Sequence, residues 1–376
     1  MTYSLFDIIF GGVILLLFIL QIALYLGLYR RIASFRLMNR QPIREKEPAI
    51  SVITILFSDD STYLDNTLPT LLSQDYSKFE VVLLYVGKNS DFFTDIKSLQ
   101  RLYPHLTPIQ IDYSPHYPVS IKTALNVGIK SAKYDFVVIT SSDATPSSER
   151  WLSLLAKGFI YGDITLGYSG MQPQSGFKNF IFREYHFNNA MAWISSAVRR
   201  RTYAGSRSSF GFKKSLYFDV RGFNHLDMNV GENDLFIQQI ATRDNVSIVL
   251  SPRATCTERT WGGWKWWWNH IKLLHSTHRY YPRWAMAPTI AELLFRTLFF
   301  ASIIAAFILL PCEFKIAALV LAVLRYLVVA FVVVRNAGRL GERGIVARHF
   351  IYDFIEPILR LFVVLSARRS QNNRWA

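Results

Sequence analysis

The sequence predicts an α/β domain with a largely parallel sheet, carried between membrane-spanning helices. Three observations predict it. Short runs rich in β-branched and aromatic residues, Ile50 to Phe57, Phe79 to Val86 and Phe136 to Thr140, surround segments of helical spacing such as Leu64 to Ser73. Strands that alternate with helices build parallel sheets. Residues Ile8 to Tyr29 carry no charge, and two further apolar runs, Leu293 to Leu310 and Ile316 to Val334, lie near the carboxyl end. Finally, 51% of the 376 residues are hydrophobic and only 18% are charged, against about 25% charged in soluble chains.

The first apolar run, with its flanks, is long enough to cross a hydrocarbon layer of about 30 Å. It lacks the small-residue cleavage site of a signal peptide, so residues 1–30 are expected to be a transmembrane helix. The following linker, 31–48, carries Arg30, Arg31, Arg36, Arg40, Arg44 and Lys46 at or near it, against Glu45 and Glu47. By the positive-inside tendency this side is cytoplasmic and the amino terminus lies outside. Residues 49–260 hold the α/β domain. Residues 261–284 open with Trp261, Trp264, Trp266, Trp267 and Trp268, a composition suited to a helix in the headgroup layer.

Residues 285–335 form the expected hairpin, its two spans separated by Pro311 to Lys315. Arg325, inside the third span, is either a functional group or a partner within a helical bundle. In 336–376 a basic loop with Arg339, Arg343 and Arg348 precedes the run Phe350 to Leu365, and a basic tail with Arg368, Arg369 and Arg374 follows it. Both flanks favour the cytoplasm. The run also contains Asp353, Glu356, Pro357 and Arg360, which predicts a re-entrant or surface-lying amphipathic segment rather than a fourth crossing.

The formal charge of +15, from 42 Lys and Arg against 27 Asp and Glu, sits largely beside the spans. There it attracts anionic headgroups, which argues against a nucleic-acid partner. Two cysteines, Cys256 and Cys312, are too few for a disulfide framework or a thiolate metal site. Chemistry must come from oxygen and nitrogen groups.

Parallel sheets bind ligands beyond the carboxyl ends of their strands. Three segments fall there: Ser58-Asp59-Asp60, Gly87-Lys88-Asn89-Ser90, and Ser141-Ser142-Asp143 through Pro146. The first two also suit plain turns. Asp143, directly after a buried strand, suits a hard cation such as Mg²⁺, which takes one or two protein carboxylates and completes its shell with phosphate and water.

Over about Ile50 to Tyr280 the order of blocks resembles the family 2 glycosyltransferases of GT-A fold, particularly the membrane-anchored bacterial members. Leu68 to Tyr76 with Phe79 to Val82 is similar to "LxxLLxQdYpxfEvi". Lys122 to Ala132, Tyr134-Asp135 and Thr140 to Pro146 resemble the stretch ending in "TDADcxP". Gly231 to Phe236 is similar to "GDDDLF", and Trp264 to Tyr280 takes the place of the motif before the membrane hairpin.

The resemblance implies a Rossmann-like, nucleotide-sugar-binding GT-A domain. It implies inverting transfer, assisted by Mg²⁺ or Mn²⁺, to a lipid-linked or polysaccharide acceptor at the cytoplasmic face of the inner membrane. Asp143 would be the metal ligand. Glu232 would be the general base, with Asp234 as second choice, although both also suit the cap of a helix starting near Leu235. Asp59, Asp60 and Lys122 would face the donor, Lys122 being equally suited to a solvated surface. Arg207 and Ser209 lie in the acceptor loop, and His275 and Arg279 would meet diphosphate or anionic lipid. Two departures stand out: Tyr85-Val86 where the family has paired acids, and Ser141 for the first Asp of "DAD". They define a rival reading, a catalytically degenerate binding or scaffolding subunit of an envelope-polysaccharide assembly.

Overall fold

The structure, a computed structural model, describes residues 3–112, 119–223, 228 and 230–369. It divides into an α/β unit, Phe35–Gln174 with Ser196–Gly262, and a helical unit, Met1–Ser34 with Ser175–Ser195 and Gly263–Ala376.

Ten strands are present among the described residues of the α/β unit: β1 (Ile50–Leu56), β2 (Phe79–Val86), β3 (Leu106–Ile111), β4 (Phe136–Ser141), β5 (Ala144–Pro146), β6 (Ile164–Leu166), β7 (Tyr168–Met171), β8 (Phe210–Lys213), β9 (Val246–Ile248) and β10 (Thr255–Glu258). Seven form the main sheet in the order β3-β2-β1-β4-β8-β6-β9, and three form a small sheet in the order β5-β10-β7. The neighbours from β3 to β4 are all parallel, whereas β8 runs antiparallel to both β4 and β6.

The expected strands are all found, and their side chains explain why they are central. Every residue of β2 after Phe79 is buried, as are Phe136 to Thr140 of β4. Apolar side chains on both faces suit a sheet covered on both sides. The segment Leu64 to Ser73 is helical in two parts, a π turn at Tyr63–Thr67 running into a short α-helix at Leu68–Leu72. Pro69, which has no N–H to give, stands at the start of the α part.

Register positions the site. Ile50 of β1 is level with Phe79 of β2 and with Phe136 of β4, and Ile55 is level with Leu84 and Ser141. The three strands therefore end along one edge. The small sheet adds to that edge, because Ala144 of β5 pairs with Glu258 of β10, and Glu258 with Met171 of β7.

Among the described residues of the helical unit three helices are long and apolar enough to cross a membrane: Leu5–Ser34, Arg283–Leu309 and Cys312–Leu340. The unit also holds most of a connecting helix (Phe177–Val198), a tryptophan helix (Trp264–His275) and a carboxyl-terminal helix (His349–Arg369). Its interior is charged. Arg325 donates to Asp353 at 2.5 Å and to Gln21 Oε1 at 3.2 Å. Arg296 pairs with Asp353 at 2.8 Å, Glu356 at 2.9 Å and Glu292 at 3.2 Å. Of the two roles open to Arg325, pairing within a bundle is the one observed. Breaking a buried ion pair from one side costs about 3–5 kcal/mol. Arg325→Leu is therefore expected to lower stability by about that amount, measured as a fall in the melting temperature of the detergent-solubilised protein, with Arg325→Lys losing less.

Candidate active site

Leu56 and Tyr85 are level at the ends of β1 and β2, and their loops meet. The buried Tyr85 hydroxyl donates to Asp59 Oδ1, and Asn89 Nδ2 donates to Asp59 Oδ2 at 2.8 Å. Asn89 is itself fixed, since its Oδ1 caps the helix Ser90–Leu99 by accepting from the N–H groups of Asp91 and Phe92. Burial, reinforced by the bond to Asp59, pushes the Tyr85 phenol upward, so it stays a donor at neutral pH. The position where the resemblance calls for an acid thus holds a group that orients the exposed carboxylate of Asp59.

Next along the edge, Asp60 is paired with Arg259, and its Oδ1 accepts from Tyr63 N at 3.2 Å. The Arg259 backbone N–H donates to the Asp143 carbonyl at 2.8 Å. Its guanidinium lies 4.2 Å from the centre of the Trp261 ring. The indole N–H of Trp261 in turn donates to Asp143 Oδ1 at 2.6 Å. Burial pushes the Asp143 carboxyl up and Glu258 adds to this, while the Trp261 bond and the Arg259 and Arg207 charges pull it down.

Among the described residues no three His, Cys, Asp or Glu side chains stand together as a metal cage. Asp143 still fits Mg²⁺ or Mn²⁺ in kind: a hard oxygen ligand beside an open edge, leaving the remaining positions to phosphate and water.

The tryptophan run departs from expectation. Its helix begins at Trp264, not at Trp261, after Gly262 and Gly263. Glycine is a poor helix former, and the Trp261 indole is held by Asp143 within the α/β unit.

The third group is the acidic loop. Gly231 has φ +118°, a conformation that suits glycine. It turns the chain so that Asp234 caps the helix Leu235–Ile240, accepting from Leu235 N at 2.6 Å. Glu232 is only 1% exposed. Its Oε1 accepts from Arg207 Nε at 2.8 Å, and its buried Oε2 has no hydrogen-bond partner among the described residues. The loop is tied to the segment carrying Arg207, because Asn233 Nδ2 donates to the Gly205 carbonyl at 2.7 Å and Gly205 N to the Asn233 carbonyl at 2.8 Å.

Lys122 is buried, and a methyl group built on Gly231 would stand 3.3 Å from its Nζ. Lys122 therefore stands at the turn that precedes Glu232, and Glu232 holds Arg207. Ser209 is not among them: its side chain is buried and accepts from the Trp151 indole at 3.3 Å.

His275 and Arg279 belong to the helical unit. Tyr185 and His275 share a hydrogen bond, the His275 and His278 rings are 4.1 Å apart, and Arg279 lies 4.6 Å from the centre of the Tyr280 ring. Burial, aided by the neighbouring His278 and by the Arg360 charge, holds His275 well below the usual histidine range; burial and Arg360 push His278 down to about 4. Neither ring is a cation at neutral pH. Arg279 is exposed.

Glu258, Arg259 and the Trp261 bond were not singled out by the sequence reading. Their signal was the short polar-apolar alternation Thr255-Cys-Thr-Glu258 ahead of Arg259, too brief to be read as a strand.

The sequence profile described as glycosyl transferase family 21 matches residues 15–361. The chain belongs to glycosyl transferase family 21. Among solved structures, the mannosyltransferase PcManGT from Pyrobaculum calidifontis, in complex with GDP-Man and Mn²⁺, matches with a TM-score of 0.56 and 17% identity, covering 87% of this chain and 98% of that one. That likeness bears on the fold, which is of the GT-A type. The poly-beta-1,6-N-acetyl-D-glucosamine synthase of Staphylococcus aureus (strain COL) is 24% identical over 267 residues, 66% of this chain and 62% of the synthase. This family 21 chain thus spans less than two-thirds of the length of that relative.

Two pH responses follow. The Asp143 carboxyl should titrate with a midpoint above the ordinary aspartate value of 3.8, read by carbon-13 resonance of labelled carboxylates in the metal-free protein. Trp261→Phe should move that midpoint higher, because the indole bond favours the charged carboxylate; an unmoved midpoint contradicts the assignment. For His278 the folded pKa of about 4 lies below the ordinary histidine value of 6.5. The unfolded chain then binds the extra proton, and stability is lost as pH falls from about 6.5 towards 4. Melting temperatures of the wild type and of His278→Gln should therefore converge over that window as the wild type loses its advantage.

Proposed function

We propose that this family 21 protein transfers a sugar from a nucleotide-sugar donor to a lipid-linked or polysaccharide acceptor with inversion, at the cytoplasmic face of the inner membrane. The observation that carries the reading is Glu232: a buried carboxylate with one oxygen on Arg207 and the other without a hydrogen-bond partner among the described residues. A single displacement needs a base placed to take the proton of the acceptor hydroxyl. In this reading Glu232 Oε2 takes that proton as the hydroxyl oxygen bonds to the anomeric carbon. The bond from that carbon to the donor phosphate breaks, and its electron pair leaves with the nucleoside diphosphate.

Arg207 orients the base, and Asn233 holds the two loops in register. Lys122 adds positive charge beside them for the leaving diphosphate. Asp59, held by Tyr85 and Asn89, presents a carboxylate for the nucleoside. A bound Mg²⁺ or Mn²⁺, held by Asp143 and by donor phosphate, would stabilise the charge that develops on the leaving group.

The GDP-Man of the similar structure and the poly-beta-1,6-N-acetyl-D-glucosamine in the synthase's name support the substrate classes without fixing the sugar. Three apolar helices with basic flanks support the membrane placement. The buried carboxylate of Glu232 favours an enzyme over a degenerate scaffold, whereas the clamp on Asp59 serves donor binding under either reading.

The test uses the full-length protein in lipid nanodiscs with Mn²⁺ and a panel of nucleotide sugars, following release of nucleoside diphosphate. Glu232→Gln is expected to reduce turnover by roughly 10²–10⁴-fold, the usual share of a general base, with little change in donor affinity. Asp143→Asn should weaken Mn²⁺ dependence and turnover together. Unchanged turnover in both variants would sink the assignment, and no binding of any nucleotide sugar by calorimetry would favour the scaffold.

A further inference from the structure

The carboxyl-terminal helix, His349–Arg369, is turned the opposite way from a helix lying on a membrane surface. Its polar side chains face into the protein: His349, Tyr352, Asp353 and Glu356 are each at most 2% exposed. Its exposed stripe is apolar, made of Phe350, Phe354, Ile358, Leu361, Phe362 and Leu365, between 44% and 61% exposed. The spacing of these six, at intervals of three, four and one, keeps them on one side of an α-helix. A surface-lying amphipathic helix places its apolar stripe inward and its charges towards water.

The partners of the inward face show how deep it reaches. Asp353 bonds both Arg296 and Arg325. Arg325 stands near the middle of the third apolar helix, Cys312–Leu340. A carboxylate held by a guanidinium at the middle of a span lies below the headgroup layer. Glu356 bonds Arg296 and Arg360, and Arg360 also donates to Asn189 at 3.0 Å. The carboxylates of this helix are thus satisfied from within, as charged groups in a hydrocarbon layer must be. Its outer stripe has the same character as those of the spans, where Leu319, Val323 and Leu327 are between 50% and 57% exposed.

We propose that the carboxyl-terminal helix is a fourth membrane-embedded element, whose outer stripe is covered by lipid acyl chains. At 21 residues it is about 30 Å long, comparable with the hydrocarbon layer. Average hydropathy does not detect it because the charges that lower its score are turned inward and paired.

The test places a nitroxide on the outer stripe of the full-length protein in phosphatidylcholine and phosphatidylglycerol nanodiscs. Cys312→Ser removes the exposed native thiol, and Cys256 is buried. Phe354→Cys, Ile358→Cys and Leu361→Cys are then labelled singly, with Leu319→Cys as the reference on a span. Collision rates with molecular oxygen and with a water-soluble nickel chelate are measured by saturation. The expected result is several-fold more oxygen than nickel contact at all three positions, matching Leu319. Nickel contact equal to or above oxygen contact would place the stripe in water and overturn the proposal. So would dipolar broadening that disappears on dilution with unlabelled protein, which would make a second copy the occupant.

Discussion

Parallel pairing of β1 with both β2 and β4 is the constraint on which the candidate active site depends. Three strands in matched register stop along one edge, so the loops carrying Asp59, Asp60, Asn89 and Asp143 must meet there. Buried apolar side chains hold that register, because a slip by one residue would move every side chain to the opposite face, out of the packing it fits. The small sheet then brings Glu258, Arg259 and Trp261 to the same edge from more than a hundred residues downstream. The chemistry is spread over the sequence, and the hydrophobic register gathers it.

Around that edge each acid has a distinct surrounding. Asp59 is oriented by two neutral donors and remains exposed. Asp60 is neutralised by a guanidinium. Asp143 is partly desolvated and steadied by an indole. Glu232 is buried with one oxygen engaged, and Asp234 is spent on a helix cap. Carboxylates of similar intrinsic acidity are thereby given different tasks by burial and by the donors facing them.

Much of this was legible from residue order. Runs of β-branched residues mark β1, β2 and β4 because parallel strands bury both faces. The placement of Asp143 and Glu232 followed from strand ends and from the resemblance of the blocks. What could not be read were contacts between distant segments. Nothing near Tyr85 announces that its hydroxyl reaches Asp59, and the Trp261 indole looked like part of a headgroup helix because its neighbours are tryptophans. The resemblance groups Ser209 with Arg207 in one loop, but two residues along an extended chain point the same way only if the backbone stays regular. In this loop it does not. The carboxyl-terminal helix was misleading for a related reason: composition records its charges and is silent on which way they face.

Inside the helical unit, Arg296, Arg325 and Arg360 are matched by Glu292, Asp353 and Glu356, so this set carries no net charge. An isolated ion in such surroundings is costly, whereas an apolar pair in place of an ion pair is often tolerated. The six positions are therefore free to drift only in opposite-sign couples. A descendant that had lost all of them to leucine would keep the same arrangement of helices, yet a hydropathy scan would count its membrane segments differently from those of its ancestor.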